Sequence, residues 1–399
     1  MCYFLLGILL LLSPSMAASR YTDVFVPFMI LIAIMLDANI RLHTLQFISM
    51  SLLFLSLLLL SSVLASDMAK DEQIIFFRTF IAFLFGFIFV TSNPSARRYL
   101  PAGMVVGGCL ALLTGFLDYV GYTAQLQASG LMPGVFADRS LIEGVKRITG
   151  PWGDANEFGP VNALMVSAAF SLGFGVMTGR ISRVIAVVVT VLNFTFLTFN
   201  RSGMLSAALV FLSSVTRKGQ KRNILMWIIG CILIAFVLFG LLDLLFPKQL
   251  DLILNRFDRA QTADNRDERL NSFFAGLQLV TVYPFGLASA YWKSRMISLT
   301  GVSNPHNGFI STAFALGMTY ALFHAASIIR GIFSDNRFIG NIALQLAFCY
   351  MFEIINFNPT VIILCGILNA NFFLTLFKSD IAQHGLDMLP AEKPFSQNC

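Results

Sequence analysis

Three short polar runs interrupt an otherwise apolar chain. The first is Arg147-Ile148-Thr149-Gly150-Pro151-Trp152-Gly153-Asp154-Ala155-Asn156-Glu157-Phe158. The second is Asn200-Arg201-Ser202-Gly203, and the third is Asn304-Pro305-His306-Asn307-Gly308. A guanidinium offers a planar fork of donors that matches phosphate oxygens. An imidazole titrates near neutrality and, when neutral, accepts a proton from a hydroxyl. Asn and Ser cap helix N-termini. Such a terminus attracts anions through its unpaired N–H groups and partial positive charge. The residue types therefore point to an anionic substrate near Arg147 and Arg201, with His306 as general base. Asn156, Ser202 and Asn307 are expected at the three helix starts. Taken singly, each has a structural explanation: caps are routine, and a boundary arginine reaches for lipid headgroups.

Apolar helices must position these runs. The 399 residues are 57% hydrophobic and 12% charged, against roughly 45–50% and about 25% in soluble domains. Mean hydropathy is +0.76. This composition excludes a cytosolic enzyme, a disordered chain and a secreted disulfide scaffold. It leaves an all-α polytopic integral membrane protein. A span needs about 20 mostly apolar residues. Twelve candidates are Cys2–Ala18, Tyr21–Leu36, Thr44–Ala65, Ile74–Val90, Leu100–Tyr122, Phe158–Thr178, Ile181–Phe199, Ser202–Val215, Asn223–Phe246, Gly308–Ile329, Phe338–Asn356 and Thr360–Phe377. The first lacks a basic leader and is expected to stay uncleaved. With alternating spans, Arg97, Arg98, Arg180, Arg183, the run Arg217–Arg222, Arg330 and Arg337 share one side. The positive-inside rule makes that side cytoplasmic, together with both termini. The net charge of +6 is read as orientation and attraction to anionic lipid, not as nucleic-acid binding.

Two longer loops, about 123–157 and 247–307, then lie outside. The natural divisions are residues 1–122, N-terminal helices; 123–317, a core with the two loops; and 318–399, C-terminal helices with a short tail. In the large loop, Phe273, Phe274, Leu277 and Val280 predict a short amphipathic helix near Asn271–Val282, lying along the interface. Arg269 opens it and can fold over the site. Arg266 is one turn earlier, and Asp267 and Glu268 offer a local salt-bridge explanation for the pair. Arg201 sits close to the hydrocarbon edge, where an unpaired arginine costs about 1–3 kcal/mol. Arg78, inside the fourth span toward the outside, is an intramembrane ionisable group and a supporting candidate. Of the four histidines, His306 alone falls outside. His43 and His384 fall in cytoplasmic segments, and His324 near the cytoplasmic half of the tenth span. The six cysteines have no metal-ligand spacing, and neither disulfide, metal nor cofactor is expected. There is no Asp-x-Asp, Walker loop or Gly-x-Ser-x-Gly.

Arg147-x-x-Gly150 followed by Asp154-Ala155-Asn156-x-Phe158 resembles the Arg-x-x-Gly…Asn-Pro-Asn-x-Phe signature of the O-antigen ligase family, which also holds O-antigen and exopolysaccharide polymerases. Here Ala155 stands for the usual Pro. Asn200-Arg201-Ser202-Gly203 resembles that family's Ser-Arg-Ser-Gly turn. Arg269 with Pro284-Phe285-Gly286 resembles its Arg…Pro-x-x-Gly stretch, with Phe273 in place of a Trp. Pro305-His306-Asn307 with Gly317 resembles its His-Asn…Gly signature. The resemblance covers Arg147 to Gly317, in matching order.

The resemblance implies a GT-C-like fold with a large periplasmic loop in a bacterial inner membrane. It implies a metal-independent, inverting glycosyltransferase. The donor would be a glycan on undecaprenyl diphosphate, and the acceptor a glycan or lipid A core. Arg201 and Arg269, supported by Arg147 and Arg266, would hold the diphosphate, and His306 would take the acceptor's proton. A polymerase of the same family differs only in its acceptor. A transporter or flippase is the reading from another class, and a non-catalytic assembly subunit is a third.

Overall fold

The computed structural model describes residues 1–12, 15–16, 19–36, 44–62, 70–92, 97–132, 141–142, 145–152, 154–172, 177–216, 240, 243–258, 263–287, 289–303, 305–352 and 358–385. The N-terminal third holds α1 (Cys2–Leu12), α2 (Tyr21–Leu36), α3 (Thr44–Ser62), α4 (Lys70–Thr91), α5 (Tyr99–Tyr119) and the short α6 (Thr123–Ala128). Then follow α7 (Ala155–Ser171), α8 (Met177–Leu192) with a π-helical extension Asn193–Thr198, and α9 (Arg201–Thr216). The large loop folds as α10 (Pro247–Asp258), α11 (Ala263–Val282) and α12 (Ser289–Thr300). The chain closes with α13 (Gly308–Leu316), α14 (Met318–Ile332), α15 (Arg337–Phe352) and α16 (Pro359–Gly385). Two two-residue antiparallel pairs, Ser15–Met16 with Ser19–Arg20 and Leu141–Ile142 with Val145–Lys146, are the extended elements among the described residues.

Among the described residues, four stretches have the length and apolarity to cross a membrane: Gln73–Thr91, Tyr99–Tyr119, Arg180–Thr198 and Pro359–Leu376. Shorter apolar helices are Cys2–Leu12, Tyr21–Ile32, Phe47–Leu59 and Arg337–Phe352. The protein is thus helical and compatible with a membrane setting, with four such helices among the described residues; twelve spans are expected from the sequence. Most of the ninth expected span, 223–246, lies outside the described residues, as do the run Arg217–Arg222 and the side chain of His384. One continuous apolar core runs through all three sequence divisions, joining Leu6 and Met104 to Phe158 and Leu164 and to Ile342 and Leu364.

Helix directions follow from side-chain contacts. Gly108 of α5 faces Met165 and Asn162 of α7, while Gly115 faces Phe158; the two helices are antiparallel. Ser167 of α7 donates to the Gln345 side chain of α15 at 2.5 Å. At the other end Asn358, just beyond α15, donates to Glu157 at 3.0 Å, so this pair is antiparallel too. Gln345 also donates to Ser206 of α9 at 3.3 Å. A Cβ on Gly203 of α9 would stand 2.7 Å from the Gly159 carbonyl carbon of α7. Small residues let these two backbones touch near their N-termini. Gly308, which starts α13, packs on Tyr350 near the C-terminus of α15. The N-termini of α7, α9 and α13 therefore share one end of the bundle.

The tenth expected span, Gly308–Ile329, is not one helix. It breaks at Gly317, with φ 82° and ψ 157°, a region essentially closed to residues with a Cβ. A break inside an apolar bundle leaves backbone groups without partners. The stretch after α11 supplies them: Pro284 accepts from the Met318 N–H at 2.7 Å, and the Leu287 N–H donates to the Phe314 carbonyl at 2.8 Å. Gly286, at φ 94°, fits because a Cβ there would stand 2.8 Å from the same Phe314 oxygen. Replacing Gly317 with Ala forces a strained conformation, and the expected loss is about 1–3 kcal/mol. A lower thermal unfolding midpoint in detergent checks this; an unchanged midpoint contradicts the break.

Candidate functional site

The first two polar runs meet in a closed hydrogen-bonded circuit. Arg147 is buried, at 5% exposure. Its Nε donates to the Thr198 carbonyl at 2.8 Å, and its Nη2 donates to the Asn156 Oδ1 at 3.0 Å. The Ile148 N–H donates to the Leu197 carbonyl at 2.8 Å. These carbonyls end the π turn, which Phe199 terminates in left-handed geometry at φ 49°, ψ 30°. A helix end leaves its last carbonyls unpaired, and the Arg147–Ile148 step answers two of them. Asn200 closes the circuit, donating through Nδ2 to the Asn156 carbonyl at 3.2 Å. Its Oδ1 accepts from Ser202 Oγ at 2.7 Å and from the Gly203 N–H at 3.0 Å.

The caps differ from those expected. Asp154 caps α7, in extended conformation, by accepting from the Asn156 N–H at 2.8 Å. Asn156 instead joins Arg147 to Asn200. Asn200, not Ser202, caps α9, and Ser202 donates to that cap. Only Asn307 takes the role expected of it, accepting from the Ile310 N–H at 3.0 Å at the start of α13. Arg147, expected in support of the diphosphate site, makes a structural connection here. Two sides of its guanidinium hold the runs together, which makes it a brace. Arg201 follows the Asn200 cap directly and is half-buried, at the positive end of α9.

The third run forms a second group. His306 is half-buried, with φ 49°, between the buried Pro305 and Asn307. Helix α11 lies directly on it: a Cβ on Gly276 would stand 2.9 Å from Pro305 and 3.0 Å from Ile310. That packing brings Arg269 and Glu268, both exposed on α11, into electrostatic reach of the imidazole. Burial lowers the His306 pKa below its ordinary 6.5; Arg269 lowers it further, and Glu268 opposes the shift. Protonation costs more in a buried site beside a cation, so the ring is neutral at pH 7. Helix α11 is longer than the amphipathic segment expected, because the charged residues before Asn271 are helical too. Arg266 is on α11 one turn before Arg269; its side chain lies outside the described residues. Trp292 of α12 stacks on Phe314 at 5.1 Å and fixes α12 against the same helix.

Other candidates fall elsewhere. Arg78 is clamped by Asp23 of α2, through Nε at 2.9 Å and Nη2 at 2.5 Å. A carboxylate partner accounts for this intramembrane cation. The His324 ring lies 5.3 Å from that of Tyr350, the residue on which Gly308 packs. Beyond the glycine itself, no residue pattern marks the break at Gly317. Asp118 accepts from Thr123 at 2.5 Å. Cys2, Cys109, Cys349 and Cys365 are free thiols. No group of three or more His, Cys, Asp or Glu that could hold a metal occurs among the described residues.

Hydrogen bonds thus join Arg147, Asn156, Asn200 and Ser202 in one group, and Arg269 lies within electrostatic reach of His306 in another. Glu157 beside the first group accepts from Asn358, and Gly308 beside the second packs on Tyr350 near the C-terminus of α15. Chemically, that end offers three positive helix termini, a partly accessible arginine at one of them, and a neutral imidazole.

No family model matches the chain, and no curated protein or solved structure matches it either. The geometry alone separates brace from ligand. Arg147→Ala strands the Thr198 carbonyl and the Asn156 amide, an expected loss of about 2–3 kcal/mol. Arg269→Ala, on an exposed surface, is expected to change stability by about 0.5 kcal/mol or less. Unfolding midpoints in detergent compare the two, and equal losses would remove the brace assignment.

Proposed function

We propose that this chain is a glycosyltransferase of the bacterial inner membrane. It moves a glycan from undecaprenyl diphosphate to a sugar hydroxyl on the periplasmic side. The observation that carries this reading is His306: a half-buried imidazole held neutral beside Arg269, at the bundle end that also holds Arg201 and three helix N-termini. In this reading the chain is a multi-pass, GT-C-like protein of about twelve spans, with both termini cytoplasmic and α10–α12 facing the periplasm. The ordered resemblance of Arg147 to Gly317 to the O-antigen ligase family supports the substrate class.

The acceptor hydroxyl attacks the anomeric carbon as the bond to the diphosphate oxygen breaks. His306 takes the hydroxyl proton, and the bonding pair leaves on the diphosphate. Displacement from the opposite face inverts the anomeric centre. Charge growing on the leaving group meets Arg201, Arg269 and the helix termini, which are fixed before the reaction begins and need no reorganisation. Arg266, one turn before Arg269 in sequence, is assigned a supporting role in this reading. Arg147 acts through Asn156 and Asn200, by setting where α9 begins. The acceptor is a lipid A core in a ligase, or the end of a second lipid-linked repeat in a polymerase.

The break at Gly317 favours a second reading, a flippase or transporter, because discontinuous helices line many transport sites. Here the break is filled by backbone from Pro284 and Leu287. Purified protein in liposomes with a lipid-linked donor separates the two: transfer to an acceptor on the same face supports the enzyme, and translocation alone supports the flippase.

Folded His306→Ala is expected to lose transfer by on the order of 10²–10⁴-fold, with donor binding kept. The active ring is neutral, so activity falls as pH drops through the His306 pKa. That limb lies below 6.5, and Arg269→Ala moves it upward by removing one cause of the depression. A limb that stays put, with donor binding intact, would separate Arg269 from His306.

A further inference from the structure

A cavity lies beneath α13, where α4, α13, α14, α15 and α16 meet. It offers roughly 20 Å³ to the centre of a water-sized molecule, against about 10–15 Å³ for one water. Its polar lining comes from Thr79, Thr312, Tyr320, His324, Tyr350 and Cys365. Such polar lining in an apolar bundle calls for partners.

The hydrogen bonds around the cavity define what fits it. His324 is 1% exposed. Its Nδ1 lies 3.1 Å from the Asn369 Oδ1, which also accepts from Ser327 at 2.6 Å. An amide oxygen only accepts, so Nδ1 carries the proton and donates. In the neutral ring Nε2 is then an acceptor. That atom is buried, and no group among the described residues bonds to it. The opposite need comes from Tyr320, stacked on the imidazole at 5.9 Å. Its hydroxyl accepts from the Asn369 Nδ2 at 3.0 Å, which leaves its own proton to donate. Thr79 and Thr312 turn their hydroxyls to the Ile75 and Gly308 carbonyls, both at 2.8 Å.

We propose that this cavity is a binding site for one small neutral hydrogen-bonding molecule, a water, that donates to His324 Nε2 and accepts from a lining hydroxyl such as Tyr320. A buried water is held by about three such bonds. No carboxylate lines the cavity, so a cation has nothing to pair with. An apolar occupant leaves Nε2 unanswered, at the cost of a buried unpaired acceptor. Bound there, the water ties α14 to its neighbours beside α13, the helix that begins at Gly308. The proposal does not depend on the transferase reading.

The test uses the full chain in lipid bilayers with ¹⁵N-labelled histidine. Solid-state NMR measures magnetisation passed from water protons to the imidazole nitrogens. The expected result is transfer to His324 Nε2, an unprotonated nitrogen, with that signal absent in His324→Gln. If the variant does not fold, correlation to the His324 backbone in the native chain assigns the resonance. Tyr320→Phe is expected to reduce the transfer by removing one partner. An Nε2 resonance that receives nothing from water, or one that carries the ring proton, overturns the proposal.

Discussion

An apolar interior leaves no unpaired backbone polar group unpunished, and this constraint shapes every functional feature of the protein. A continuous helix answers it internally. Wherever a helix stops, other atoms must answer instead. The π turn ending at Thr198 is the clearest case. Its terminal carbonyls are taken by Arg147 and Ile148, fifty residues earlier in the chain. Asn156 and Asn200 then lock the next two helix starts to the same point. The residues that look like a binding motif in the sequence are, in the first instance, the means of ending one helix and beginning two others beside it.

The same rule governs the Gly317 break. A second loop, Pro284 to Leu287, bonds into it from outside. That arrangement couples the large loop to the bundle at two places, the break itself and the start of α13, where Gly276 meets Pro305. Helix α11 cannot shift on α13 without disturbing both. Arg269 and His306 are brought together by that double attachment, although their own side chains contribute little to the packing.

How much of this was legible in the sequence differs from feature to feature. Helical character followed from composition, because an apolar chain of this length has few other ways to satisfy its backbone. The clustering of helix starts at Asn156, Arg201 and Asn307 followed from alternating directions. The caps did not: Asp154 and Asn200 compete with Asn156 and Ser202 two positions away, and Asp, Asn and Ser all cap well. The break at Gly317 was hidden because the residues on either side, Phe314 to Leu316 and Met318 to Ala321, are as apolar as any span. Only the backbone dihedrals reveal it. The role of Arg147 was hidden for a related reason. Its partners are a carbonyl and an amide far along the chain, which no local pattern reports.

A brace is not thereby removed from the electrostatics. Arg78 faces a carboxylate, Asp23, and opposite charges at contact largely cancel at a distance. The Arg147 partners at Thr198 and Asn156 are neutral dipoles, so those two bonds orient the guanidinium without cancelling it. Its positive charge lies at the level of the α7 and α9 N-termini, in a poorly screened setting where fields extend further than in water. In the proposed reading that charge adds to the field at Arg201, and the carboxylates of Asp154 and Glu157 at the start of α7 oppose it.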